Sequence, residues 1–235
     1  MKRNFISPIL GLVLGALVLL PPFNPVQAQT NLGQDYLCQW NADLHFFQYY
    51  HWRWSELPLK VYIPALPSKL KPKNKENYPA LVKQAFLNWS AQFPALKFEW
   101  VNQAQKAQIL VQWQEKYPES ETAWGKAALP QPFLAKQSQP RIQHQSTLQL
   151  AIKASERSVM NPASVYFTQE EILAVSTHAI GHALGLMHSG NPDDLMYHAF
   201  YARFDGSWKI SPADLASLER LFNLPEDLEI SPCNG

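Results

Sequence analysis

His178, His182 and His188 are spaced so that one divalent ion could take all three. Residues four apart on a helix stand one above the other, with Cβ atoms about 5 to 6 Å apart, so two imidazoles reach the same point. Gly185, three residues after His182, permits a left-handed turn that doubles the chain back and presents His188 as a third ligand. Three neutral nitrogen donors leave a fourth tetrahedral position open, the arrangement of a catalytic rather than a structural zinc. A single His on such a helix is ordinarily a packed core residue; three with an intervening glycine are not explained that way.

The elements that must position this trio can be read from caps and periodicity. Thr168 as N-cap with Glu171 three residues on forms a capping box and predicts a helix running to about Gly185. Pro79 opens a second helix whose apolar face is Leu81, Val82, Ala85, Phe86, Trp89 and Phe93, ending near Pro94. Ser211 and Asp214 open a last helix, with Leu215, Leu218, Leu221 and Phe222 as the expected buried stripe. Leu59 to Ile63, Leu96 to Val101, Ile109 to Trp113 and Thr147 to Ile152 read as strands. The lysine-rich stretch 68–76 reads as a solvated loop. Residues 115–145 form a long Pro/Gln/Ser-rich connection of functional or variable character. Residues 29–56 are aromatic-rich without clean periodicity and read as a lead-in segment wrapped onto the body, of unassigned fold. Strands and helix alternate and helices follow, so the class is α/β or α+β, in one domain spanning 57–235.

Composition narrows the function. The chain has 235 residues, 46% of them hydrophobic, enough for a buried core. Twenty Lys+Arg against nineteen Asp+Glu leave no basic field, which disfavours a charge-driven nucleic-acid binder. No glycine-rich phosphate motif occurs. Lys2 and Arg3 precede an apolar run from Phe5 to Leu20, and Val26-Gln27-Ala28 offers a signal-peptidase site. Residues 1–28 are therefore expected to be a signal peptide, and the mature chain to be exported, secreted or periplasmic, with no transmembrane segment. The apolar run is short of the roughly 20 residues that span a bilayer. Export permits a disulfide between Cys38 and Cys233, the alternative being two unpaired thiols.

The run His178-Ala179-Ile180-Gly181-His182-Ala183-Leu184-Gly185-Leu186-Met187-His188 resembles the metzincin signature H-E-x-x-H-x-x-G-x-x-H, which is followed by a Met-containing turn. Within that group it is most similar to the matrixins, the matrix metalloproteinase-like M10 peptidases. Ser189 follows the third His, and Leu195-Met196-Tyr197 sits at the Met-turn. The similarity extends back through the Phe86 to Trp89 helix face, Leu96-Lys97-Phe98 and Ala107-Gln108-Ile109, and forward to the Ser211 helix, about 57–224. It implies a zincin-like domain: a twisted mixed sheet, a long helix under it, an active-site helix and a C-terminal helix. It implies one catalytic-type Zn²⁺ on His178, His182 and His188, Met196 as an apolar floor, and an extended polypeptide as substrate or ligand of a monomeric protein.

One departure falls on the chemistry. Ala179 stands where the signature has the Glu that moves a proton between water and the leaving amine, and a methyl cannot do this. General acid–base help is typically worth about 10² to 10⁴-fold. Glu171 lies about 12 Å away along the helix axis, and nothing in their spacing aims Asp193 or Asp194 at the site. The resemblance thus implies a metalloendopeptidase fold with little or no hydrolysis, a pseudoenzyme, against a working endopeptidase with residual or rescued activity. His198 replaces the Pro that usually follows the Met-turn Tyr, which alters that wall of the pocket. The absence of Asp between Asp43 and Asp193 argues against structural calcium and second-zinc sites. Lone His144 reads as a surface residue, and Leu37-Cys38-Gln39-Trp40 does not match the family's inhibitory cysteine motif.

Overall fold

The computed structural model describes residues 36–41, 45–49, 54, 56–70, 77–117, 124–127, 145–153, 166–199 and 208–224. Residues 1–28, His144 and Cys233 lie outside them. In chain order the elements are β1 (Cys38–Asn41), β2 (Phe46–Tyr49), β3 (Leu59–Tyr62), α1 (Tyr78–Gln92), β4 (Phe98–Trp100), β5 (Ile109–Gln114), β6 (Gly125–Ala127), β7 (Ser146–Ala151), α2 (Gln169–Leu184) and α3 (Pro212–Asn223).

Five strands form a mixed sheet in the order β4-β3-β5-β7-β6. The first four run parallel, and β6 closes one edge antiparallel to β7, with Gly125 opposite Leu150 and Ala127 opposite Leu148. This is the expected α/β class, with a mixed sheet and three helices. Among the described residues the sequence reading missed a strand and a hairpin, and the one-turn 3₁₀ helices Ser68–Leu70, whose Leu70 is buried inside the expected solvated loop, and Ala104–Lys106. β6 lies inside the stretch taken as a loop, and β1–β2 is an antiparallel hairpin within the unassigned lead-in.

Burial explains the layering. Val82, Ala85, Phe86 and Trp89 of α1 are fully buried, and α2 is buried along most of its length. A helix apolar nearly all round sits inside a core rather than on it. Side-chain donors tie these elements together. The Trp89 indole donates to Thr177 O of α2 at 2.9 Å, and the Tyr78 hydroxyl donates to Phe167 O at 2.6 Å. Each satisfies a carbonyl that would be costly to bury unpaired. Trp54, from the lead-in, is buried and donates its indole N–H to Ala183 O at 2.8 Å.

The α3 face differs from expectation. Leu218 and Leu221 are buried as predicted, but Leu215 and Phe222 are only half-buried, and Asp214 and Ser217 share the inner face. These polar residues are tolerated there because each has partners. The Tyr36 backbone N–H donates to Ser217 Oγ at 3.1 Å, and its hydroxyl donates to Asp214 at 2.9 Å.

Candidate metal centre

Helix α2 carries the first two histidines and its termination presents the third. Thr168 caps the start, accepting from Glu171 N while the Glu171 carboxylate accepts from Thr168 N, as the sequence predicted. At the other end Gly185 adopts φ 109°, in the left-handed region that favours glycine. Leu186 N then donates to Gly181 O at 2.9 Å, the six-to-one closure of a Schellman turn. The chain reverses and His188 returns to the face of His178 and His182.

The three Nε2 atoms converge. His182 Nε2 lies 3.2 Å from His178 Nε2 and 3.1 Å from His188 Nε2. Tetrahedral ligands at about 2.0 to 2.1 Å from zinc stand about 3.3 to 3.4 Å apart. The protein already holds nearly that spacing. Backbone carbonyls decide which ring nitrogens carry hydrogen. His178 Nδ1 faces Leu195 O at 2.7 Å, and His182 Nδ1 faces Leu186 O at 2.8 Å. A carbonyl has no hydrogen to give, so each Nδ1 must be the donor. In the neutral rings, both Nε2 lone pairs then point into a shared space, where they repel unless a cation lies between them. The donor set therefore fits zinc, and among the described residues it is the one His/Cys/Asp/Glu group placed to hold a metal ion.

Electrostatics keep the trio neutral. Burial first, then the neighbouring His182, pushes His178 well below the ordinary histidine value. Burial and His188 push His182 down to about 4; burial and His198 lower His188. Protons therefore compete little for the ligand atoms at neutral pH. Linkage gives a testable sign. The unfolded chain protonates these rings near 6.5 while the metal-free folded chain resists, so stability is fully present above about 6.5 and falls as pH drops toward 4. Denaturant melts of the metal-free chain across this window should show that slope, and a flat profile would contradict it.

Met196 is fully buried. A Cβ on Gly181 would lie only 2.4 Å from Met196 Sδ and 3.2 Å from the rigid Trp89 ring. The absence of a side chain at 181 is thus what lets the turn approach the helix between the two histidines. Gly181→Ala should cost about 1 to 3 kcal/mol, read as a lowered melting temperature, because the methyl must displace packed neighbours.

Sequence reasoning missed the group that fixes this turn. The Asp214 carboxylate accepts from Leu195 N at 3.0 Å, Met196 N at 3.3 Å and Ser211 N at 2.8 Å, besides the Tyr36 hydroxyl. Asp214 was legible only as a capping residue. It holds Leu195, whose carbonyl orients His178, so α3 and the lead-in both act on the metal centre through one buried carboxylate.

Among the described residues no carboxylate is shown in the place of the motif Glu. Ala179 is buried, and its methyl lies 3.5 Å from where a Cβ on Gly125 of β6 would be. Asp194 is buried and accepts from the Ser189 hydroxyl, Asp193 is exposed, and Glu171 is engaged at the helix start. Cys38 is disulfide-bonded.

A family model described as matrixin matches residues 31–223. Matrilysin of Felis catus is 46% identical over 50 residues, 21% of this chain and 19% of the relative. Matrix metalloproteinase-26 of Homo sapiens is 32% identical over 72 residues, 26% of this chain and 28% of the relative. Macrophage metalloelastase of Rattus norvegicus is 32% identical over 59 residues, 25% and 13%. The matches span less than a third of these relatives' lengths. With the family model covering most of its length and its three histidines grouped as a zinc-dependent family requires, the chain belongs to the matrixins.

Proposed function

We propose that this chain is an exported, monomeric matrixin that binds one zinc ion through His178, His182 and His188 and holds an extended polypeptide without cutting it at protease rates. The observation that carries the reading is the convergence of three Nε2 atoms beside a methyl at position 179. A bound zinc would polarise a carbonyl and activate water. The step after that needs a proton carrier, and the buried methyl supplies none.

The sheet edge supports a place for the peptide. β6 pairs with β7 on one side, and among the described residues no strand pairs with its other side. An extended chain would add to that side of the sheet by strand pairing, with side-chain pockets giving preference. The β6 edge runs over α2 at Gly125, next to Ala179. Residues 1–28 would act as a removable export signal, 29–56 as the lead-in and 57–235 as the zinc domain. An oxidising compartment suits a bonded Cys38, whose partner would be Cys233.

The test is zinc-loaded chain incubated with an unfolded protein, with and without chelator. Proteases turn over at about 1 s⁻¹ or faster. We expect the zinc-loaded and chelated samples to differ little on that timescale. Fast, chelator-sensitive digestion would overturn the reading.

A further inference from the structure

A fourth imidazole stands beside the trio. The ring centroid of His198 lies 6.3 Å from that of His188, and the pairs within the trio are 4.6 to 5.5 Å apart. His198 is thus less than 1 Å further from its neighbour than the widest ligand pair (6.3 against 5.5 Å).

Main-chain geometry sets this position. Ser189 and Tyr197 form a parallel bridge, with Ser189 N donating to Met196 O at 2.8 Å. His188 immediately precedes one bridge partner and His198 immediately follows the other. The loop between them is braced internally, since Tyr197 N donates to Asp194 O at 3.2 Å and the Asp194 carboxylate accepts from the Ser189 hydroxyl. In a parallel bridge His188 lies opposite Met196, so the backbone at 198 is held diagonally across from the third ligand, one residue beyond Ser189, while its side chain is exposed with its ring 4.4 Å from that of Tyr197. An exposed ring can change staggered wells about its first side-chain torsion and carry its nitrogens several ångströms.

We propose that His198 is a fourth, exchangeable metal ligand that swings in to take the coordination position the other three leave open. The inference rests on the reading of His178, His182 and His188 as ligands. A neutral ring supplies the lone pair, so no proton need leave. With four imidazoles a zinc site has the closed form of structural centres, and outside donors are shut out. Among the described residues the grouped ligand atoms are those of the trio alone, so His198 joins them only by turning its ring. In a chain without the signature Glu, closing the site would hold the ion more firmly rather than sacrifice catalysis.

Cobalt(II), which reports its ligand set by visible absorption, tests this in the full chain, with azide as the outside ligand. The unmodified chain should need at least about tenfold more azide than His198→Ala to perturb the spectrum, and the variant should hold zinc about 10- to 100-fold more weakly against a competing chelator. Coincident azide titrations with equal zinc retention would overturn the proposal and leave the three-histidine site standing. Strong azide binding by the unmodified chain would overturn it without recourse to a variant. His182→Ala serves as the control: zinc retention equal to the unmodified chain's would remove the trio, and the proposal with it.

Discussion

Ala179→Glu should raise zinc-dependent hydrolysis of unfolded polypeptide by about 10² to 10⁴-fold, the usual worth of a positioned acid–base group. With His198 swung out of the coordination position, the site is otherwise assembled. Nδ1 of both His178 and His182 is held by a carbonyl, Met196 lies under the helix, and Asp214 ties the turn to α3. Position 179 directly follows the first ligand on α2, so a carboxylate there begins beside the ion's expected place. Ala179 is buried beside the glycine of β6, so the longer side chain must extend toward the ion rather than into the strand. Initial rates for both versions, with and without chelator, check the expectation. Equal chelator-sensitive rates would mean that another group already moves the proton.

His182→Ala should abolish zinc retention through dialysis, weakening binding by more than about 100-fold. Even groups that merely orient metal ligands are worth 10- to 100-fold, and His182 supplies the nitrogen central to the trio, 3.1 and 3.2 Å from the other two. Stability provides a second reading. A ligand that binds only the folded state at 1,000 times its Kd adds about 4 kcal/mol. Zinc should therefore raise the melting temperature of the unmodified chain and leave that of His182→Ala nearly unchanged. If the variant kept a stoichiometric ion, the coordination assigned here would be wrong.

The metal centre was legible because its determinants are local. Four-residue spacing, a glycine free to adopt positive φ and a Thr168/Glu171 box are all encoded within 21 residues of one another (168 to 188). Helices α1 and α3 announced themselves likewise, by Pro79 in the first turn of one and Ser211 as cap of the other, while the Asn77 cap of α1 went unread. The three-residue strand β6 did not. Gly125-Lys126-Ala127 has no alternation to detect and is a strand only because β7 pairs with it. The β1–β2 hairpin was hidden for the related reason that aromatic residues occur at successive rather than alternate positions, Phe46 beside Phe47.

Long-range polar links were the least visible. Tyr36 and Asp214 are 178 residues apart, and neither residue type says that one will donate to the other or that the same carboxylate will hold the Met-turn backbone. The expected apolar stripe of α3 erred for this reason. A face buried against a turn with exposed amide donors needs an acceptor, and Asp214 takes the place an aliphatic residue would otherwise fill.

The central claim is that three histidine Nε2 atoms hold zinc, and zinc-edge X-ray absorption of the folded chain at neutral pH addresses it most directly. One ion per chain is expected, with at least three imidazole nitrogens at about 2.0 to 2.1 Å and no sulfur. Failure to retain an ion, or an ion bound by sulfur or by fewer than three imidazoles, would contradict it.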